Sequence, residues 1–206
     1  IEGKIFEFCD GIYYPSQAEI DIVRSVFTVT KPARTLTPYI YDNFPARSTD
    51  WMNRQGLMFI GNFYHVPNVD AVLWFLEDIW PEVLKSLHGI VFSIAGQDPP
   101  ESITSQHSDH VNVVGWISEE ELNELYARCK MMVAPLRYGA GLKGKIVEAM
   151  YHGLPVVTTS IGAEGLEGTG HILQITDDAA AFAQKIIDLY ANETELQRSS
   201  ETSVEY

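Results

Sequence analysis

Residues 131–158 read MMVAPLRYGAGLKGKIVEAMYHGLPVVT. The apolar run Met131–Ala134 stops at Pro135, which cannot donate to a sheet ladder. A loop carrying Gly139 and Gly141 follows, then a stretch with helical spacing from about Lys143 to Tyr151. Gly153 falls where a helix C-terminus favours a left-handed residue. A second apolar run, Leu154–Thr158, comes next. Strand, glycine loop, helix and strand in that order is the repeating unit of a parallel sheet, whose neighbouring strands need a crossover.

The same alternation extends outward in both directions. Upstream, Leu57–Ile60 is a short apolar run ending at Gly61. Positions 69, 72, 73, 76, 80, 83, 84 and 87 are apolar at the spacing of one buried helix face. Ile90–Ala95, closed by Gly96, and Val111–Val114, closed by Gly115, read as two more strands. Ser118 and Glu121 have capping-box spacing ahead of a helix burying Leu122, Leu125 and Tyr126. Downstream, Ile172–Ile175 is a sixth strand candidate, and the last helix buries Ala179, Phe182, Ala183, Ile186, Ile187 and Tyr190. Strands that are apolar throughout and alternate with amphipathic helices are covered on both faces. The expected fold over residues 55–191 is therefore α/β, a doubly wound parallel sheet, Rossmann-like. Such sheets bind ligands beyond the carboxyl ends of their strands, and Gly61, Gly96, Gly115 and Pro135 all mark such ends. Residues 1–54 read as irregular, with a short helix over Ser16–Ser25 (Ser16 and Glu19 in capping-box spacing) and a linker from Pro32 to Arg54. The polar stretch 192–206 reads as a frayed tail.

The bulk numbers narrow the function. The chain has 206 residues, is 46% hydrophobic and carries a formal charge of −14. So acidic a surface repels polyanions, which argues against nucleic acid as a partner. No apolar run is long enough for a transmembrane segment, and the start lacks the apolar region of a signal peptide. Cys9 and Cys129 are far apart and outside any C-x-x-C pattern, which suits a reduced, cytoplasmic setting, at most peripheral to a membrane. From Leu125 to Val147 there is no acid, while Arg128, Lys130, Arg137, Lys143 and Lys145 are five of the fourteen basic residues. A local basic island on an acidic protein suits a small anion.

The glycine loop opens a helix, whose N-terminus adds roughly half a positive charge. Lys143 and Lys145 add full charges, making a seat for a diphosphate. The segment is neither a G-x-x-x-x-G-K-[ST] loop nor G-x-G-x-x-G after the first strand, so a P-loop NTPase or a dehydrogenase fits badly. Glu148 lies one turn further on. It either accepts hydrogen bonds from vicinal ribose hydroxyls or is a solvated helix residue paired with a lysine. Asn68 reads as a helix cap, Asp177 and Asp178 as a cap and a first-turn acid, Trp74 and Trp80 as core or interface residues. His107, His110 and His171 lack metal-ligand spacing, and no metal is expected.

Several segments together resemble the C-terminal domain of GT-B glycosyltransferases of the retaining family 4. They are Phe59–Asn68 (FIGNFYHVPN), Val113–Ile117 with Ser118, Glu148–Thr159 (EAMYHGLPVVTT) and Gly162–Leu166. The resemblance implies a nucleotide-sugar-binding domain for a UDP- or GDP-sugar co-substrate, with no cofactor. It also implies an N-terminal acceptor domain of the same parent chain, of which residues 1–54 would be the tail and linker, and which would hold the catalytic residues. It places the donor diphosphate at Gly61, Asn62, Gly139, Gly141, Leu142, Lys143 and Lys145, the ribose at Glu148, and the base at Gly115, Trp116 and Ile117. His65 and Arg137 are further candidates. Glu148 matches the second acid of the family's E-x7-E pair, whereas Ala140 stands where the first would be, close to the donor sugar. Asn62 stands where an Arg often follows the first-strand glycine. The sequence contains no D-x-D, so the implied transfer is metal-independent. Two alternatives remain open: an epimerase of the same architecture, and a non-catalytic nucleotide-binding module.

Overall fold

The computed structural model describes residues 2–36, 38–39, 41, 53–203 and 205–206. Much of the expected linker, residues 37, 40 and 42–52, lies outside the described residues. The main sheet has six parallel strands: β3 (Leu57–Ile60), β4 (Phe92–Ala95), β5 (Val111–Gly115), β6 (Met131–Ala134), β7 (Val156–Thr158) and β8 (Gln174–Ile175), in the order β5-β4-β3-β6-β7-β8. The chain starts in the middle at β3, winds out to β5, then returns to β6 and winds out the other way. The switch point therefore lies between β3 and β6, whose registers pair Leu57 with Met131 and Met58 with Met132.

Alternation along each strand explains why the strands read as apolar throughout. Leu57, Phe59, Met131 and Val133 enter one core layer, with Phe75, Phe92 and Phe182. Met58, Met132 and Ala134 enter the opposite layer, with Tyr126, Ile146, Ala149 and Met150. The first layer is closed by α3 (Val66–Trp74), α4 (Trp80–Ser86) and α8 (Ala179–Tyr190), the second by α6 (Glu119–Arg128) and α7 (Gly144–Tyr151). A short α5 (Glu101–Thr104) bridges β4 and β5. Between α3 and α4 one π-helical turn, Phe75–Ile79, carries the chain onward, with the Trp80 amide reaching the Phe75 carbonyl. Pro81 supplies the cause, because it has no N–H for the carbonyl four residues back and its ring crowds that carbonyl.

Three strands begin two residues later than their apolar runs. Leu154 N–H turns back to the Ala149 carbonyl at 2.8 Å to close α7, with Gly153 at φ 62°, and Pro155 has no N–H, so pairing starts at Val156. Ile172 and Leu173 are spent on a short 3₁₀ turn, both amides bonding the Thr169 carbonyl at 2.8 Å. Ile90 likewise lies ahead of β4, its carbonyl 3.2 Å from His110 Nδ1.

The ends of the chain are more ordered than their composition suggests. Residues 192–206 do not fray as a whole: α9 (Glu193–Ser203) is a helix. Leu196, Ser199, Ser200 and Ser203 fall on one face at helical spacing and are buried, and Ser199 Oγ donates to the Ile172 carbonyl at 3.0 Å. Serine is small enough to bury once its hydroxyl is bonded, and a hydropathy reading overlooks such a face. At the other end, α1 (Glu2–Phe8), β1 (Ile12–Tyr14), α2 (Gln17–Val26) and β2 (Ala33–Thr35) form a small unit in which β1 and β2 pair in parallel. Ser16 caps α2, accepting from the Glu19 amide at 3.3 Å. Phe8, Tyr13, Val26 and Leu36 remain exposed on this unit. Two strands and two helices are too few to bury their own apolar surface. Among the described residues, no helix is long and apolar enough to cross a membrane.

Candidate functional site

The carboxyl ends of β3 and β6 open into a crevice at the switch point. On the β3 side, Gly61 and Gly96 bring two backbones into contact: a side chain on Gly96 would collide with the Gly61 carbonyl at 1.7 Å. The β3 loop is then held by a buried side chain. Asn68 Nδ2 donates to the Asn62 carbonyl at 2.7 Å, and its Oδ1 accepts from Lys145 Nζ at 2.5 Å. The N-cap of α3 is His65, not Asn68. The cap reading of Asn68 is thus corrected: a buried amide is needed here to bridge the loop and a buried ammonium. On the β6 side, Thr158 Oγ1 donates to the Ala134 carbonyl at 2.8 Å, and Thr159 Oγ1 donates to the Leu136 carbonyl. Both hydroxyls fix the start of the glycine loop from β7.

A cavity of about 360 Å³ lies in this crevice. Gly61, Asn62, Trp116, Ile117, Lys145 and Glu148, from three separate segments, all line it, with Gly96 from a fourth. Trp116, just past Gly115, is 72% exposed, an aromatic face beside a half-enclosed pocket. Of the two charges in the wall, Lys145 is buried and Glu148 half-buried, and neither has a countercharge among the described residues. Among the described residues no carboxylate pairs with Lys145, whose ammonium lies 4.3 Å from the Phe59 ring centre. Burial, and then repulsion from Lys143, pull its pKa down to about 7. Burial pushes the Glu148 carboxyl up, the Tyr126 hydroxyl opposes this, and Glu119 adds to it. A cation and an anion, each desolvated and each unpaired, cost folding free energy unless something else satisfies them.

The remaining sequence candidates lie elsewhere. Lys143 does not line the cavity; its ammonium is turned back into its own loop, bonding the Gly139 carbonyl at 3.1 Å and that of Gly141, and pairing with Glu164 at 3.3 Å. Arg137 makes a two-pronged pair with Asp70, at 2.9 and 2.5 Å, and lies over the Trp74 ring at 5.4 Å. Leu142 lines a different cavity, with Pro15 of the N-terminal unit and Tyr39 of the segment that follows it. His65 is exposed, as is Ala140. Glu19, from α2, approaches the glycine loop, its carboxylate 3.5 Å from where a Gly141 side chain would begin. The basic island is also dispersed. Lys130 N–H bonds the Gly56 carbonyl and its ammonium the Tyr190 carbonyl, at the amino ends of the strands. Strand β6 separates Arg128 and Lys130 from the loop by the full depth of the sheet, so five sequence neighbours become two distant groups. Asp178 caps α8, accepting from the Ala181 amide at 2.8 Å, and Asp177 accepts from Ser160. Trp74 and Trp80 are core. Among the described residues no group of acids, histidines and cysteines could hold a metal.

Sequence spacing missed three residues around Glu148 and Lys145: Asn68, Tyr126 and Arg54. The first two read as a cap and a core residue, and Arg54 as the end of a linker. Arg54 is buried, its guanidinium reaching the Tyr126 carbonyl at 3.5 Å. Nothing in a periodic pattern distinguishes them.

Solved structures share this fold. TarM aligns over 99% of this chain and 42% of its own, at a TM-score of 0.80 and 16% identity. WaaG, a glycosyltransferase involved in lipopolysaccharide biosynthesis, aligns over 94% of this chain and 57% of its own, at 0.72 and 16%. The pneumococcal O-GlcNAc transferase GtfA, solved with UDP and GlcNAc, aligns over 95% and 43%, at 0.69 and 15%. In sequence, the uncharacterized 44.6 kDa protein in the cps region of Klebsiella pneumoniae is 29% identical over 192 residues, which are 89% of this chain and 48% of that protein. The chain thus spans about half the length of that relative and of the structures it matches. The six-stranded, all-parallel sheet corresponds to the C-terminal half of the GT-B structures. Residues 54–192, the segment that builds the sheet and the crevice, match the glycosyl transferases group 1 family, and the chain belongs to that family.

Proposed function

We propose that this domain binds the nucleoside-diphosphate end of a nucleotide-sugar donor in the switch-point crevice. One observation carries the reading: a single cavity brings together a buried cation and a half-buried carboxylate of α7 with an exposed indole from a distant segment. A nucleoside diphosphate offers complementary groups. Its phosphates would lie against Lys145, Gly61 and Asn62 and the N-terminus of α7, its vicinal hydroxyls against Glu148, and its base against Trp116 and Ile117. Lys143, locked into the Gly139–Gly141 turn, shapes the loop and adds charge at longer range. UDP is the first probe to use, because the solved GtfA and S. aureus TarM complexes contain it.

The chemistry is retaining glycosyl transfer. As the anomeric carbon gains oxocarbenium character, negative charge grows on the departing diphosphate. A preorganised, desolvated ammonium with fixed amide dipoles stabilises that charge more than it stabilises the ground state. The acceptor and the remaining reactive groups belong to a preceding domain of a longer parent chain. The small β1–β2 unit, with its exposed apolar side chains, fits the end of that domain. This piece alone is expected to bind donor nucleotide and to transfer little sugar.

Calorimetric titration of UDP, GDP and ADP against the chain and against Glu148→Ala tests the reading. Loss of about tenfold in affinity on removing Glu148 is expected, the worth of one or two hydrogen bonds to a charged group. No binding at millimolar concentration, or equal binding by the variant, sinks it.

A further inference from the structure

Tyr126 lies on α6, is 1% exposed, and its ring stacks on His152 with centres 4.3 Å apart and planes within 7°. The ring fills the second core layer. Packing accounts for the ring but not for the hydroxyl, which is buried and completes no hydrogen bond among the described residues. Phenylalanine would occupy the same space without burying an unmet polar group, which is costly to leave unpaired. The hydroxyl therefore needs another explanation.

Its neighbour supplies one. Tyr126 and Glu148 line one cavity on the α6 side of α7, of about 600 Å³. Glu148 lines the nucleotide crevice on its other side. The hydroxyl and the carboxylate interact electrostatically, each altering the other's proton affinity. The other titratable groups around this carboxylate are Glu119 from α6, Tyr41 and Arg54 from the preceding segment, Tyr151 and His152 at the end of α7, and Lys145. Of these, Glu119 further disfavours its ionised form. A carboxylate that is to accept two O–H bonds from vicinal hydroxyls must stay ionised and be held against rotation. One oxygen bonded from behind by a rigid aromatic hydroxyl does both.

We propose that Tyr126 is a positioning residue: its hydroxyl closes onto Glu148 from the core side and fixes the carboxylate to receive ribose hydroxyls. The inference rests on the ribose role proposed above for Glu148. Tyr126 itself does not touch the ligand.

The test uses Tyr126→Phe in the 206-residue chain, titrated with UDP and GDP and with their 2′,3′-dideoxy counterparts. The variant should lose about five- to tenfold in affinity for the tighter ribonucleotide, with affinity for its dideoxy counterpart unchanged. The Glu148 carboxyl, followed by carbon-detected NMR in the unliganded chain, should titrate at higher pH in the variant. Melting temperature should change little, because the packing of the ring is kept. Adding Glu148→Gln to the variant should weaken ribonucleotide binding no further than Glu148→Gln alone. A variant that keeps the full preference for the ribonucleotide overturns the proposal. So does one that loses both probes in parallel, since that marks a packing defect. Failure of the ribose reading is distinguishable, because the unaltered chain would then show no preference between the two probes.

Discussion

The two flanks of the β6–α7 loop treat charge in opposite ways. On the outer flank every charge is answered: Arg137 by Asp70, Lys143 by Glu164 and two loop carbonyls. On the crevice flank Lys145 and Glu148 have no ionic partner among the described residues, although burial disfavours the charged form of each. A fold under no other constraint would neutralise these charges as well, since leaving a desolvated charge unpaired is costly. The contrast supports the donor seat proposed above, because the unanswered charges are those a ligand can answer. Lys145→Met should break the contrast most. It removes the desolvated cation that lines the crevice among the described residues, and UDP affinity should fall about 30- to 100-fold, the value of a charge-assisted hydrogen bond in a dry site. Titration calorimetry measures it, and a loss under threefold would move the phosphates elsewhere.

Solution pH sharpens the same contrast without mutation. With its pKa near 7, Lys145 loses its proton as pH rises through neutrality, whereas a bound diphosphate favours the charged form. Affinity should therefore fall above about pH 7, by at most about tenfold per unit, with protons taken up on binding. Lys145→Met should show neither effect. In the unliganded protein the sign is reversed. The depressed folded-state value means the unfolded chain holds more protons between about pH 7 and 10.5, so stability rises with pH across that window. Denaturant midpoints at pH 7.5 and 9.5, in the chain and in Lys145→Met, check this independently of any ligand.

Asn68 tests how far the crevice depends on support. Its amide ties the Asn62 carbonyl to the Lys145 ammonium. In Asn68→Ala the Asn62 carbonyl keeps only the His65 amide, and Lys145 loses its hydrogen-bond acceptor and gains rotational freedom. Affinity should drop several-fold, about 1 kcal/mol, less than for Lys145→Met. The two effects should not add in the double variant, because they act on one network. Additive losses would make Asn68 a separate contributor.

Asn68 also shows where sequence reading stops. The alternating apolar runs made the parallel sheet legible, since a strand covered on both faces leaves no other pattern. The glycines at strand ends marked the rim, and helix α7 carried Lys145 and Glu148 to it in one register. What a periodic reading cannot show is which polar residue is turned inward. Asn68 and Tyr126 sit at positions that serve equally well as a cap and a core aromatic, and only the crossing of α3, α6 and α7 over the sheet brings them to the charges. Clustering in sequence also misled. Arg128 and Lys130 precede β6 and Arg137 follows it, so a strand's length separates residues that look like one basic patch. In α9 the opposite error occurred, because a face of three serines and one leucine looks polar on paper and is buried in the fold.

Arg137 gives the smallest effect and the sharpest control. Its guanidinium has two hydrogen bonds to Asp70 and a ring beneath it, more visible contacts than Lys145 makes. The pair is exposed on the arginine side, 48% against 21% for Asp70, where solvent screening limits such a bridge to about 1 kcal/mol or less. Engaged and outside the crevice, it has little to offer a ligand. Arg137→Ala should leave UDP affinity within about twofold and lower the melting temperature by no more than a few degrees. If instead Arg137→Ala weakens UDP binding as strongly as Lys145→Met, with the fold intact, the Asp70 pair must open in the complex. The outer flank would then belong to the donor site, and counting unanswered charges would no longer be a guide to where this domain holds its ligand.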